Sequence, residues 1–420
     1  MGSELLKGYR MLDLADEKGA VCGKIFADMG ADVIKVEPLS GCPTRTIPPF
    51  LEDQPGSDRS LYAIAYHAGK RSITLNLDAA EGQHLFIDLA KKADFIVESY
   101  PLGYLDNLGL GYGAIDRVNP RIIYTSITPF GDRGPAKDYK AADIAIWAAG
   151  GMMFQMGEEG RPPLQMAQPQ AGLHAGGEAA VASMIAHYPR EIEGLGQRVV
   201  VNMQACIVWT LMNEQAMPLL HGDYMRRSGV FSGMIGGRRK TIFKCKDGSI
   251  SGLVSGNGPF LASTNALIAW MKEEGEVPEW LTKDGGIKAL TPGGFMTATA
   301  KDLEELDRAE TVVGDFLKTK TKAEIWQNVM KRRILAAPVA TVADIAADPQ
   351  LEAREYFVDK ESKALGRTLR LPGAFAKLSR TPIGPAGAAP KVGEHNSEVY
   401  CGLLGLTEQR LSELQTDGII

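Results

Sequence analysis

The side chains of this 420-residue chain that can act as nucleophiles, acids, bases or metal ligands are widely scattered. Five cysteines, Cys22, Cys42, Cys206, Cys245 and Cys401, are odd in number, far apart and without CxxC spacing, so free buried thiols in a reducing compartment are expected. The six histidines offer no metal triad and no HxxxH pair, which argues against metal catalysis. His174, set among small residues, reads as a satisfied core histidine. Carboxylates Asp143, Glu158 and Glu159 lie near the stretch Met166-Ala167-Gln168-Pro169-Gln170-Ala171-Gly172-Leu173-His174. An amide such as Gln168 is uncharged and only donates or accepts hydrogen bonds, so it is a poor nucleophile. Asp143, in KAADIAIWAAGG, stands where a helix begins, and an N-cap role outweighs a catalytic one there. Met152, Met153, Phe154 and Met156 have the adaptability to line an apolar acyl pocket, although core packing is the simpler expectation.

The elements that must position these groups alternate regularly. Residues 10–15 read as a buried strand, 17–30 as a helix with 3.6-residue apolar spacing, and 32–37 as another strand. A second βαβ unit follows, with a strand over 72–77, a helix over 81–93 and a strand over 95–98. A helix over 104–118 then leads to a strand over 121–127. This pattern predicts an α/β fold with a Rossmann-like, doubly wound parallel sheet. A small-residue helix over 171–187 precedes a strand, Gln197–Asn202, and a helix beginning at Met203. The small residues permit close helix packing.

Near Thr241 the character changes. KTIFKCK, Asp247-Gly248 and SISGLV form a hairpin signal, followed by helical stretches over 259–274, 301–319 and 322–333. Residues 336–378 return to mixed structure, and the chain closes on the helix TEQRLSELQTDG. The expected organisation is a large domain over 1–224, a smaller α+β domain over 225–330, and a segment over 331–420 that returns to the large domain. No repeat of 20 to 50 residues is present, and the Pro/Gly-rich linkers at 35–60 and 155–170 are long enough to be functional.

Hydrophobic residues at 45% and charged residues at 23% place the chain among ordinary folded proteins. A formal charge of -5 argues against nucleic acid as a partner and requires any anionic ligand to be met by local cations. No apolar run reaches the roughly 18–20 residues of a membrane span. The N-terminus MGSELLKGYR is too short and polar for a signal peptide, so a soluble, cytoplasmic protein without membrane partners is expected.

Five segments in order, GKIFADMGADVIKVEPLSGCPTR, GKRSITLNLDAAEGQHLFIDLAKKADFIVESY, LDNLGLGYGAIDRVNPRIIYTSITPFGDRGP, AAPVATVADIAADPQLEARE and GEHNSEVY, resemble family III CoA-transferases. That family also includes α-methylacyl-CoA racemases. The resemblance spans nearly the whole chain and implies two domains and a dimer whose chains thread through each other like links. It implies no permanently bound cofactor, with a CoA thioester as substrate.

In the family an aspartate attacks the thioester to form a mixed anhydride, which CoA thiolate then opens. Gln168 occupies that aspartate's position, so the resemblance implies no catalytic residue in this chain. A racemase's histidine and aspartate would fall at Ala142 or a neighbour and at Gln168, which argues against racemisation. After the first strand, where members carry Gln-Ala-Gly-Pro, this chain reads Asp16-Glu17-Lys18-Gly19-Ala20, an acidic pair that repels phosphate beside a compensating Lys18. Two arginines of the oxalate enzyme are replaced by Pro38 and Asn107, which removes bidentate phosphate contacts.

Leu75, Ser99 and Tyr100 match positions along the adenine and pantetheine path, and Lys140 matches a lysine near the phosphates. Lys35, Arg45 and Arg71 add positive charge, with structural ion pairing an equal expectation. Gly236-Gly237, followed by Arg238, Arg239 and Lys240, matches a glycine loop that covers the family's active site; a plain hairpin approach is the alternative.

The resemblance implies the non-catalytic subunit of a heteromeric CoA-transferase, partnered by a homologous chain that carries the aspartate. The substrates implied are a CoA thioester and dicarboxylic acids, with CoA moving from succinyl-CoA to an aryl-substituted acid such as (R)-benzylsuccinate in anaerobic toluene degradation. The alternatives are a self-sufficient CoA-transferase or acyl-CoA isomerase using another carboxylate, and a CoA-ester-binding protein.

Overall fold

The computed structural model describes residues 5–211, 217–222, 226–232, 239–282, 287–288 and 299–420. The chain forms two compact units, one of Met1–Met152, Met166–Met212 and Pro349–Ile420, the other of Met153–Gln165 and Asn213–Asp348. The second unit therefore extends beyond the 225–330 span at both ends and takes in part of the Pro/Gly-rich 155–170 linker.

The larger unit is built on six parallel strands: β1 (Arg10–Leu14), β2 (Asp32–Glu37), β3 (Arg71–Thr74), β4 (Phe95–Glu98), β5 (Ile123–Thr128) and β6 (Gln197–Asn202). Their order is β3-β2-β1-β4-β5-β6. Leu12 pairs with Ile34 on one side and Ile96 on the other. Burial on both faces explains the near-continuous apolar runs of the central strands, with Met11, Leu12, Ile34, Phe95, Ile96, Val97 and Ile123 all inside. The winding direction reverses between β1 and β4, which opens a crevice beyond their carboxyl ends.

The connecting helices are α1 (Ala20–Asp28), α2 (Leu61–Tyr66), α3 (Ala80–Ala90), α4 (Tyr104–Asn107), α5 (Tyr112–Val118), α6 (Asp143–Ala149), α7 (Met152–Gln155), α8 (Ala171–Glu193) and α9 (Met203–Trp209). The single helix expected over 104–118 is two, because Gly109 takes φ +71 and ends the first. The expected 171–187 helix continues to Glu193 through Pro189. Arg190 anchors that extension, for its buried guanidinium donates to the Asp94 carbonyl and stacks 4.9 Å from the Phe95 ring. A Cβ on Gly172 would lie 2.4 Å from the Glu17 carbonyl oxygen, and one on Gly176 would lie 2.9 Å from Val21 Cβ. The small residues thus let α8 settle against α1 and the 16–19 turn.

An Asp13 carboxylate sits fully buried within β1, hydrogen-bonded by Lys35 at 3.1 Å and Lys70 at 2.6 Å. Burial works to raise its pKa, but the two ammonium groups hold it below the usual carboxylate range.

The smaller unit contains the expected hairpin, Ile242–Cys245 and Gly248–Gly252, extended antiparallel by Ala336–Pro338. Helices Ala300–Lys318 and Lys322–Arg332 begin in capping boxes, Thr299 with Asp302 and Thr321 with Glu324. Phe243, Trp270, Phe316 and Ile325 belong to a core of its own. The C-terminal hairpin Phe357–Ser362 and Arg367–Pro372 and the helix Glu408–Thr416 belong to the larger unit.

Candidate functional site

Two adjoining cavities on the larger unit, of about 530 Å³ and about 940 Å³, meet at Lys18 and Ala141, which line both. The smaller lies beyond the carboxyl ends of the strands, between Leu14, Val36, Ser99 and Thr128, where the winding reversal demands a crevice. Lys18, Ser99, Tyr100 and Lys140 line it together. Pro38 is on its wall, so no guanidinium reaches it from that position.

The Asp16–Lys18 turn closes on itself. Asp16 accepts from the Ser99 hydroxyl at 2.6 Å and from the Lys18 amide at 3.0 Å, and it is ion-paired with the Lys18 ammonium. The same ammonium lies 3.8 Å from Glu17. Much of the Lys18 charge is therefore met by the acidic pair that flanks it. The exposed Lys137 and Lys140 also line the smaller cavity, and among the described residues neither is ion-paired.

Tyr100 stacks on Tyr104 with centroids 4.8 Å apart, and its amide donates to Glu98 at 2.8 Å. Glu98 faces a third, small cavity of about 110 Å³, which Pro101 and Leu102 separate from the 530 Å³ space. Burial pushes the Glu98 carboxyl up to about 7 against hydrogen bonds from Ser126 and the Tyr100 amide.

The larger cavity holds Gln168, exposed on the approach to the first turn of α8, with Gly172 and Leu173 beyond it. Asp143 lines the same space, but its carboxylate accepts from the Ala171 amide at 2.7 Å. The capping role expected of Asp143 is thereby relocated: it makes no cap bond to its own helix and instead satisfies an orphan amide of α8. Tyr62 and Tyr66, one turn apart on α2 with ring centroids 4.6 Å apart, line this cavity too. The Tyr62 hydroxyl donates to the Glu17 carbonyl at 3.1 Å.

Other residues fall elsewhere. Leu75 packs in the hydrophobic core and lines neither cavity. Asn107 is exposed and outside both. Lys35 and Arg45 are buried ion-pair partners of Asp13 and Glu37, and Arg71 pairs with Asp32, so none of the three is a free cation for a ligand. Met152, Met153, Phe154 and Met156 are not buried and line neither cavity. His174 is half-buried, edge-on to Trp147 at 6.2 Å.

Gly236, Gly237 and Arg238 lie outside the described residues, whereas Arg239 is buried against Asp307 and Glu310. Among the described residues no cluster of His, Cys, Asp and Glu has metal-ligand geometry, and no helix is long and apolar enough to cross a membrane. The sequence did not single out Tyr62, Tyr66 or Lys137. The i, i+4 tyrosines in LYAIAY, next to a long linker, were the available signal.

A model of CoA-transferase family III matches residues 6–396. The chain is 32% identical over 409 residues to succinyl-CoA:(R)-benzylsuccinate CoA-transferase subunit BbsE of Thauera aromatica, covering 96% of this chain and 95% of the relative. It is 32% identical over 445 residues to a formyl-CoA:oxalate CoA-transferase of Streptomyces avermitilis, covering 100% of both. A crystal structure of a CAIB/BAIF family protein from Brucella suis superposes with a TM-score of 0.80 at 27% identity, covering 96% of this chain and 100% of that one. The succinyl-CoA–L-malate CoA-transferase beta subunit of Chloroflexus aurantiacus is 27% identical, over 99% of this chain and 98% of the relative. With its parallel sheet, its crevice at the winding reversal and a family match over almost its entire length, the chain belongs to CoA-transferase family III.

Proposed function

We propose that this chain is the non-catalytic subunit of a heteromeric, cytoplasmic CoA-transferase. It pairs with a homologous chain that carries the aspartate nucleophile. The complex moves CoA from succinyl-CoA to an aryl-substituted dicarboxylic acid such as (R)-benzylsuccinate, in anaerobic toluene degradation. The observation that carries the reading is Gln168 at the mouth of α8: a carboxamide stands where attack on a thioester needs a carboxylate, and the neighbouring Asp143 is engaged by the Ala171 amide.

Two further observations support a partner chain. Relatives named as subunits occur at 32% and 27% identity. Along α8, Val181, Ile185, Tyr188 and Ile192 form an exposed apolar stripe at helical spacing, a surface suited to a homologous chain in an interlocked dimer. Lys18, Ser99, Tyr100 and Lys140 are the CoA-facing residues on this reading.

The test is acyl-CoA exchange by the purified chain, alone and with a homologue that has aspartate at the position of Gln168. Activity is expected only in the mixture. Robust activity of the chain alone, abolished by Asp143→Asn, would overturn the subunit reading. It would favour a self-sufficient transferase or isomerase, to which Asp143 lends weight by lining the same cavity. Tight CoA-ester binding by a stable homodimer that stays inactive in every mixture would favour a CoA-ester-binding protein.

A further inference from the structure

The 940 Å³ cavity beside Gln168 has a chemical character that the loss of a nucleophile does not explain. Its room has not collapsed, and its volume falls at the upper end of small-molecule sites. One wall is a tyrosine pair on α2, Tyr62 and Tyr66, with interplanar angle 54°. Pro48 and Pro49, the latter accepting from the Leu61 amide at the start of α2, add flat, apolar, donor-free surface, and Leu173 and Met203 complete an apolar lining. The Tyr62 hydroxyl proton is already donated to the Glu17 carbonyl, so it is not available to a ligand.

The charge balance is equally specific. Glu17 and Asp143 line the cavity, and Lys18, its one cationic lining residue among the described residues, is paired with Asp16. A free carboxylate entering here would lose water and meet carboxylates without an unengaged cation, which is unfavourable. An uncharged aromatic ring would displace water from apolar walls and meet the tyrosines edge-on or offset.

We infer that this chain's own cavity seats the aromatic ring of an aryl-acyl thioester, with Tyr62 and Tyr66 as the residues that select it. The Gln168 carboxamide, at the rim, can donate to the thioester carbonyl without attacking it. This deepens the subunit reading and rests on it. An aryl thioester is held on the inactive chain without being turned over there, and a second carboxylate has no match in this cavity.

The experiment is calorimetric titration of the full-length chain with 3-phenylpropionyl-CoA, with 3-cyclohexylpropionyl-CoA of similar size, and with succinyl-CoA. The phenyl thioester is expected to bind about three- to tenfold more tightly than the cyclohexyl one, and succinyl-CoA more weakly than either. Tyr62→Leu and Tyr66→Leu should each erase most of the phenyl preference while leaving the affinity for free CoA and the circular dichroism spectrum unchanged. Equal affinities for the phenyl and cyclohexyl thioesters, tighter binding of succinyl-CoA, or no binding of any thioester would overturn the inference. The two readings fail separately: catalysis by the isolated chain sinks the subunit assignment and leaves a measured ring preference standing, whereas equal affinities sink the ring site and leave an inactive subunit.

Discussion

Replacing Glu98 by glutamine should stabilise the larger unit at alkaline pH and leave it nearly unchanged at acid pH. Glu98 ends β4, only 8% exposed, and burial raises its pKa to about 7 from an ordinary 4.5. Below pH 4.5 the carboxyl is protonated in the folded and unfolded chains alike, so it contributes no pH dependence. Between pH 4.5 and 7 the unfolded chain releases its proton first, the folded chain binds more protons, and stability falls as pH rises. Above about pH 8 the full penalty is present. At about 1.36 kcal/mol per pH unit it amounts to roughly 3 kcal/mol.

Glu98→Gln cannot ionise, and its amide oxygen can still accept from the Tyr100 amide, with about 1 kcal/mol lost for imperfect geometry. The variant should therefore exceed the native chain by roughly 2 kcal/mol at pH 8 and match it or fall slightly below at pH 4.5. Urea titrations at the two pH values, with hydrogen exchange identifying the transition that carries β4 and β5, measure the difference. An advantage of the same size at both pH values, or a destabilised variant at pH 8, would refute the reasoning that burial dominates this carboxyl.

Glu37→Gln should be severely destabilising, because Arg45, buried beside it, loses a bidentate carboxylate partner. A broken buried pair costs about 3–5 kcal/mol, a fall of roughly 10 °C in the melting temperature of a unit this size. Gly23→Ala places a methyl 2.2 Å from Asp13 Oδ2 and 2.9 Å from Lys70 Nζ, so α1 must lift off the buried ion cluster. A loss of at least about 1–3 kcal/mol is expected in denaturant titration, and a neutral result would mean that the cluster shifts freely. Gln168→Asp restores a carboxylate at the mouth of α8. On mixing with an acyl-CoA, hydroxylamine trapping and peptide mass spectrometry should find an acyl or CoA adduct at position 168, absent from the native chain. Failure of that variant to form any adduct would mean that the cavity no longer presents a thioester to this position.

The alternation of strands and helices was legible in the chain, since runs such as FIVE and VIKVE read as central strands of a covered sheet, and so was the hairpin, although its turn is Lys246-Asp247 and Gly248, expected in the turn, already pairs with Cys245 as a strand residue. The sequence by itself also determined that Gln168 is no nucleophile, a property of the residue type that no fold can change. Helix ends were less legible. Gly109 broke a stretch that reads as one helix, and Arg190 carried α8 past a proline, because local signals are overridden by distant contacts such as that with the Asp94 carbonyl.

Which cations are available to a ligand depends on partners brought in by the fold. Lys35, Arg45 and Arg71 look alike in sequence to Lys137 and Lys140, yet the first three are paired with carboxylates within or beside the sheet, and the last two stand on a cavity wall. Sequence records charge, whereas the partner that satisfies it comes from another strand or loop. The same holds for the tyrosine pair. Helical spacing places Tyr62 and Tyr66 on one side of α2, but residues 47–49, 141–143 and the start of α8, distant in the chain, make the cavity that they line.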